Sequence, residues 1–594
     1  MHHDSCVDTS PTGIQMTLTL ILILPLLLAL GGLYPRLRSM MTLYAPWSAL
    51  PALVLALWNP PHTTVEVSWL FIGIRLALDE VGRNFMIVTA LLWILAGVSA
   101  RASFVAGSNP HRLFIIYLVT LTGILGLFMA QDLPTFTVFY ALTTFAAYGL
   151  IIVENTTAAQ RAGRIYLILA VVGEAMLLEA VLLITSVSGN QDISQIPSTV
   201  ASAPERHLII GLLLAGFGIK IGLFPLHAWI PLAYTATPTA ISAVLSGSML
   251  MAGFLGWIRF LPLGGGVFPE WGLACIIAGT VALLYGIVVG LTQHNPRTIL
   301  AYSTISQAGL MTTGIGMGMV MPDLWPRIDH LLMLYALHHA LVMGGLFLGA
   351  GVAGRATGPV WQYRMVAFGL VVPALALAGA PFSSGTLINA IFEAAAPMTP
   401  WTAPLTWMPS LGAIGTTLLM GRFLLETWPR RQDDGIQPVN RLPLGIWLPW
   451  AVLLFCGGIL AWVVRLKLSV DAKNLLLSPT TFWASLWPIL IGGLFVWGVT
   501  RKSDRIPVPS IPSGDLVVGI EWLAHRTKEY WDGITGETWQ TWRSGLASHT
   551  LLHKSRSWTS SILEEMEGRL GQWITLGAAF LFLAAMFFIL LLAT

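Results

Sequence analysis

Two glutamates, a lysine and a pair of histidines stand in strongly apolar surroundings, and through them this chain could do chemistry. An ionised group inside an apolar span is costly and marks a functional candidate. Lys220 lies in the run LLLAGFGIKIGLFPLHAWIP, about ten residues from the polar start of its apolar stretch. Burial disfavours a charged ammonium and a nearby carboxylate favours it, so such a lysine is tunable enough to carry a proton. The competing reading is a lysine that snorkels to the interface. Glu174 and Glu179 stand in YLILAVVGEAMLLEAVLLI, with no cation beside them in sequence. The next apolar stretch carries Lys220, so a Glu174–Lys220 pair is geometrically plausible; the alternative is a neutral glutamate bonded inside the bundle. His338 and His339, in DHLLMLYALHHALVMGGLF, titrate near neutral pH and can relay protons, or can pack as bonded histidines.

Long helices have to position these residues. The chain has 594 residues, of which 55% are hydrophobic and 10% charged, with a mean hydropathy of +0.75. A soluble domain carries about a quarter charged residues, so this chain cannot cover a water-facing surface. A single soluble core stops growing beyond roughly 250–300 residues. The net charge of +3 gives no reason to expect nucleic acid. Cys6, Cys275 and Cys456 lie far apart, which excludes a disulfide framework or a cysteine-rich metal site. Haem-type and metal spacings are missing, as are phosphate loops and nucleophile motifs. No cofactor, no metal and no redox or hydrolytic chemistry is expected in the chain itself.

Runs of about 20 apolar residues can cross a bilayer as helices. They fall at 16–34, 41–58, 81–100, 112–130, 133–153, 164–187, 207–226, 237–261, 271–292, 298–319, 329–352, 365–396, 402–426, 444–466, 480–500 and 571–593. The expected class is therefore an all-α polytopic membrane protein with about 16 spans. Arginine and lysine gather in odd-numbered loops, for example at Arg36, Arg101, Arg161, Arg297, Arg355, Arg430 and Arg501. One loop disagrees, with Arg465, Lys467 and Lys473. Positive loops face the cytoplasm, which places the N-terminus outside, and the expected location is the inner membrane of a bacterium. Residues 1–15 read as a disordered tail, and Met16 is an alternative start. The segment 501–570 is polar, with Trp522, Trp531, Trp539, Trp542 and Trp558 among charges. It reads as an amphipathic cytoplasmic segment, or else as a polar linker, before a final span over 571–594. Two spans look discontinuous, one at Pro225 and one at Pro381 and Gly385, as in transport pathways.

At these residues the chain resembles a known family. GIKIGLFPLHAWIPLAYTATPTAISAVLSGSML is similar to the signature of the antiporter-like subunits of respiratory complex I, Mrp cation/proton antiporters and membrane-bound hydrogenases. NPRTILAYSTISQAGL, LHHALVMGGLF and AGAPFSSG resemble that family's later blocks in the right order, and IPSGDLV looks like the entry to the extension of hydrogenase-type subunits. The resemblance implies about 14 core helices, an N-terminal helical region over 16–130, inverted five-helix repeats over 112–261 and 271–426, broken seventh and twelfth helices, and C-terminal helices over 444–500. It also implies proton or Na+ movement along a mid-membrane polar axis. Lys220 matches the family's span 7 lysine and His339 its span 11 histidine. Other family charges fall on Ala141, Met251, Gln307, Met343 and Asn389, and the polar positions of a family motif on Leu232 and Tyr234. The route would then use Lys220, Glu174 and His339, with Glu179, His338 and Gln307 as further members. Implied partners are other membrane subunits, the lipid bilayer and a soluble redox or carbon-uptake module. The alternative is a scaffold that keeps the fold without conducting.

Overall fold

The computed structural model describes residues 11–514 except 59–63, 68–73, 105–109, 190–191, 357–359, 387–391, 393–401, 429–442, 468–478 and 503–510, and a few positions between 516 and 527. The expected span 571–593, most of the segment 501–570 and Asn389 lie outside the described residues. Contacts divide the chain after Gly514, and the unit Met1–Gly514 is a bundle of helices.

Apolar runs fold as helices because backbone groups in lipid must bond within their own segment. The order is α1 (Pro11–Leu33), α2 (Arg38–Tyr44), α3 (Leu50–Trp58), α4 (Glu80–Ser103), α5 (His111–Met129), α6 (Leu133–Ile152) and α7 (Thr157–Ser188). The short α8 (Ile196–Ser202) leads to α9 (Arg206–Ile221), α10 (Trp229–Ala236), α11 (Thr239–Val244) and α12 (Leu250–Phe260). Then come α13 (Pro269–Leu291), α14 (Pro296–Val320), α15 (Trp325–Ala353) and α16 (Val360–Leu377). The last are α17 (Thr402–Thr427), α18 (Leu444–Lys467) and α19 (Pro479–Lys502). Each expected span up to 480–500 contains helix, but 207–226 leaves it after Ile221 and 365–396 after Leu377. Among the described residues, 11 helical stretches are long and apolar enough to cross a membrane. α14 is too polar to be counted with them, and its residues from Thr298 to Met319 are buried by other helices.

The seventh expected span is broken, as its prolines predict. Gly222, at φ 83°, closes α9: its N–H and that of Leu223 both donate to the Gly218 carbonyl, at 2.9 Å each. Residues 222–228 then leave the helix before α10 resumes. The twelfth span ends at Leu377 and turns at Gly379 (φ 82°) and Pro381. A Cβ at Gly385 would collide with the Ala376 carbonyl oxygen, so only glycine lets this turn fold back on α16. Between α11 and α12 a π-helical turn, Leu245–Met249, widens the eighth span. There Trp93 donates to Ser248 Oγ at 2.7 Å, joining α4 to the widened turn.

One end of the bundle is closed by polar contacts. A hairpin of β1 (Val65–Val67) and β2 (Ile74–Leu76) pairs antiparallel, with Val65 opposite Leu76. Asp132 caps α6, accepting from Thr135 N, and also accepts from Arg75 N of the hairpin, each at 2.8 Å. Burial pushes the Asp132 carboxyl above the usual range, and the Thr135 and Arg75 hydrogen bonds oppose that shift. Nearby, Arg259 at the end of α12 donates Nη2 to both carboxylate oxygens of Asp79 at 2.9 Å, and Nη1 to the Ala130 carbonyl at 2.8 Å. α13 and α14 pack backbone to backbone at their glycines. A Cβ at Gly279 would collide with the Gly309 carbonyl oxygen; one at Gly286 would meet the Tyr302 carbonyl at 2.6 Å, and one at Gly272 the Gly316 carbonyl at 2.7 Å.

Candidate functional site

Lys220 sits in the last turn of α9 and is 5% exposed. The turn is held from outside the helix: Trp229 of α10 donates its indole N–H to the Ile219 carbonyl at 2.7 Å. The same carbonyl also accepts from Gly222 N at 3.2 Å, so the indole adds a second bond at the helix end. The Lys220 ammonium points at α6, donating to Thr144 Oγ1 at 2.5 Å and lying 3.5 Å from the Tyr140 ring centroid. A desolvated ammonium on an aromatic face gains cation–π attraction. The Thr144 hydroxyl itself donates to the Tyr140 carbonyl at 2.8 Å, as threonines in helices do, and its free lone pair receives the lysine.

Glu174 of α7 lies on the other side of Thr144, whose hydroxyl stands beside its carboxyl group. Glu174 and Lys220 line one cavity with Thr144, Tyr166 and Trp229. It has about 20 Å³ of space, enough for one water molecule. The two charges do not meet in an ion pair; the hydroxyl and this space separate them. Glu174 Oε1 is buried with no hydrogen-bond partner among the described residues. α7 and α9 are close enough for this because glycines face each other: a Cβ at Gly216 would lie 3.1 Å from the Gly173 carbonyl oxygen and 2.6 Å from Leu177 Cγ. A second cavity, of about 10 Å³, also touches Glu174 and is walled by Phe136, Phe217 and Phe260. The Phe136 and Phe260 rings lie 4.7 Å apart and those of Phe217 and Phe260 5.4 Å.

A second polar group occupies α14, α15 and α17. Gln307 donates to Thr416 Oγ1 at 2.9 Å and accepts from the Tyr335 hydroxyl. His338 Nδ1 lies 2.5 Å from Ser384 Oγ, at the break after α16. His339 is fully buried, and neither of its ring nitrogens has a hydrogen-bond partner among the described residues. α12 packs on both α9 and α15 and so stands between the two groups. It carries Met251, fully buried, with its sulfur 3.5 Å from Thr89 Oγ1.

The structure thus brings Lys220 and Glu174 to one cavity, and places Gln307, His338 and His339 in the second half. Pro225, Pro381 and Gly385 lie in the helix breaks. Glu179 is not brought to the cavity; it lies on the exposed face of α7. Ala141 is half-buried beside Tyr140, and Met343 is fully buried. Sequence reasoning missed Thr144, Tyr140, Tyr166, Trp229, Tyr335, Thr416 and Ser384. The paired threonines of YALTTFAAY, inside an apolar run beside the Lys220 span, were the available signal.

The broken helices and the buried lysine beside a carboxyl group are features of a polytopic membrane protein similar to antiporter-like subunits. Residues 130–410 match the family model described as NADH:quinone oxidoreductase/Mrp antiporter, TM. Hydrogenase-4 component B of Escherichia coli (strain K12) is 26% identical over 291 residues, 47% of this chain and 43% of that relative. NADH-quinone oxidoreductase subunit N of Desulforudis audaxviator (strain MP104C) is 29% identical over 311 residues, 51% of this chain and 58% of that one. The chain spans about half the length of such curated relatives. In the solved Mrp complex from Dietzia sp. DQ12-45-1b, one chain shares the fold with a TM-score of 0.71 at 22% identity, over 87% of this chain and 60% of that one. These relatives are subunits of multisubunit membrane assemblies.

Proposed function

We propose that this chain is an ion-translocating subunit of a complex I-like, Mrp-like or hydrogenase-like assembly, moving protons or Na+ through a polar axis in mid-membrane. The observation that carries the reading is the cavity shared by Lys220 and Glu174, with Thr144 between them and space for water. A proton can pass between an ammonium and a carboxylate through a hydroxyl or a water only where such a link exists. Glu174, on α7, takes the place of the carboxylate that the family resemblance puts at Ala141 on α6. Gln307, His338 and His339 continue the axis through the second repeat. The reading divides the chain into repeats over 112–261 and 271–426, and puts it in a bacterial inner membrane with the N-terminus outside. Electron chemistry would belong to partner subunits.

The test is proton or Na+ flux in vesicles holding the assembled complex. Lys220→Ala combined with Glu174→Gln is expected to lower flux on the order of 10²-fold. Unchanged flux in that double variant removes this route. The second reading, a scaffold that anchors a soluble partner, is favoured by Met251 and Met343, both buried where the family carries charge. An assembled wild-type complex that moves no ion would establish the scaffold.

A further inference from the structure

Glu179 is a carboxylate on the outside of the bundle. The exposed positions of α7 include Ile168, Val172, Ala175 and Glu179, which fall on one stripe at helical spacing. Ile168 is 64% exposed and Val172 43%, so the stripe faces lipid or another polypeptide. The apolar part of α7 runs from Ile165 to Ile184, about 30 Å at 1.5 Å per residue. Glu179 lies about 7 Å inside its nearer end, further than a glutamate side chain extends. A carboxylate at that depth against hydrocarbon is costly and marks a partner or a pathway. The cavity at Glu174 is on a different face, and no described cation stands within ion-pair distance of Glu179. One turn away, the small side chain of Ala175 lets a second helix come close.

We infer that this stripe of α7 seats a membrane-spanning helix of a different polypeptide, and that this helix presents a lysine or arginine to Glu179. Charge complementarity selects the occupant. Lipid tails offer the carboxylate no partner. A second copy of this chain docked through the same face would set carboxylate near carboxylate, because a twofold contact uses one patch twice. The inference rests on the reading of the chain as a subunit and names the chemistry of one neighbour.

The experiment places a photoreactive benzoyl-phenylalanine at position 172, on the same stripe, in the full chain expressed with its native neighbours and irradiated in native membranes. The expected result is a discrete adduct with one other polypeptide, linked at a membrane-spanning segment that contains lysine or arginine. The same probe at Ile277, 55% exposed on α13, should not give that adduct. Glu179→Lys should lower the adduct yield about tenfold or more, and Glu179→Gln less, at equal amounts of inserted chain by immunoblot. Lipid adducts alone, a dimer of this chain, a linked segment without lysine or arginine, or an unchanged yield in Glu179→Lys overturns the inference. Ion flux is read on the same membranes. Adduct without flux removes the conduction reading and keeps the docking; flux without adduct removes the docking alone.

Discussion

At the scale of single residues, the decisive contact is the one Lys220 makes with a neutral hydroxyl. The ammonium holds Thr144 and the Tyr140 ring, and Glu174 waits beyond. Thr144→Val keeps the shape and removes the link. We expect it to lower flux about tenfold, with Thr144→Ser restoring most of the loss, measured in vesicles of the assembled complex. Ala141→Glu, placed one residue from Tyr140, should recover flux in a Glu174→Gln background, because it returns a carboxylate to the α6 side of the lysine. Persistent loss in that double variant would mean that the position of the acid on α7 is essential. Lys220 and Glu174 were legible in the sequence because charges in apolar runs stand out. Thr144 was not, since a threonine that bonds its own helix looks like any other. The separation of Glu174 from Glu179 was not read, although five residues turn a helix through about 140° and send the two side chains to different faces.

At the scale of elements, the site depends on how α9 ends and how closely it approaches α7. Trp229→Phe removes the donor to the Ile219 carbonyl while keeping an aromatic ring of similar position. It should cost about 1 kcal/mol and lower the thermal midpoint of the detergent-solubilised protein. Gly216→Val brings a branched side chain where even a Cβ meets the Gly173 carbonyl and Leu177. It should force α7 from α9, part Glu174 from Lys220 and abolish flux in chains that still insert; flux unaffected by this variant would show that the pair need not be close. Pro225 and Pro381 made both helix breaks readable. The π-helical turn at Leu245–Met249 was not, because its extra residue follows from packing against α4 and α15, and propensity carries no trace of it.

At the scale of the whole molecule, the clasp between α4, α5 and α12 holds the first half together. Arg259 is 5% exposed in its side chain and spends its Nη groups on Asp79 and on carbonyls at the end of α5. Asp79→Ala leaves that guanidinium short of its carboxylate. We expect a loss of about 2 kcal/mol, read as a lower thermal midpoint with flux per assembled complex retained. The order of the helices was legible from hydropathy, since lipid leaves each span no other structure. The pairing of β1 with β2 was not, because the strands are three residues each and lean on the ends of α5 and α6 and on Asp192. α14 is instructive in the same way. Its serines, threonines and Gln307 are polar enough to weaken a hydropathy signal, and they are tolerated because neighbouring helices, not lipid, surround them.

The glycine contacts between α13 and α14 carry a mechanical consequence. Backbone lies against backbone at Gly272, Gly279 and Gly286, along nearly the whole length of the pair. Sliding or rolling either helix by one residue would drive a side chain into a carbonyl. The packing therefore locks the two helices in register and opposes sliding of one past the other.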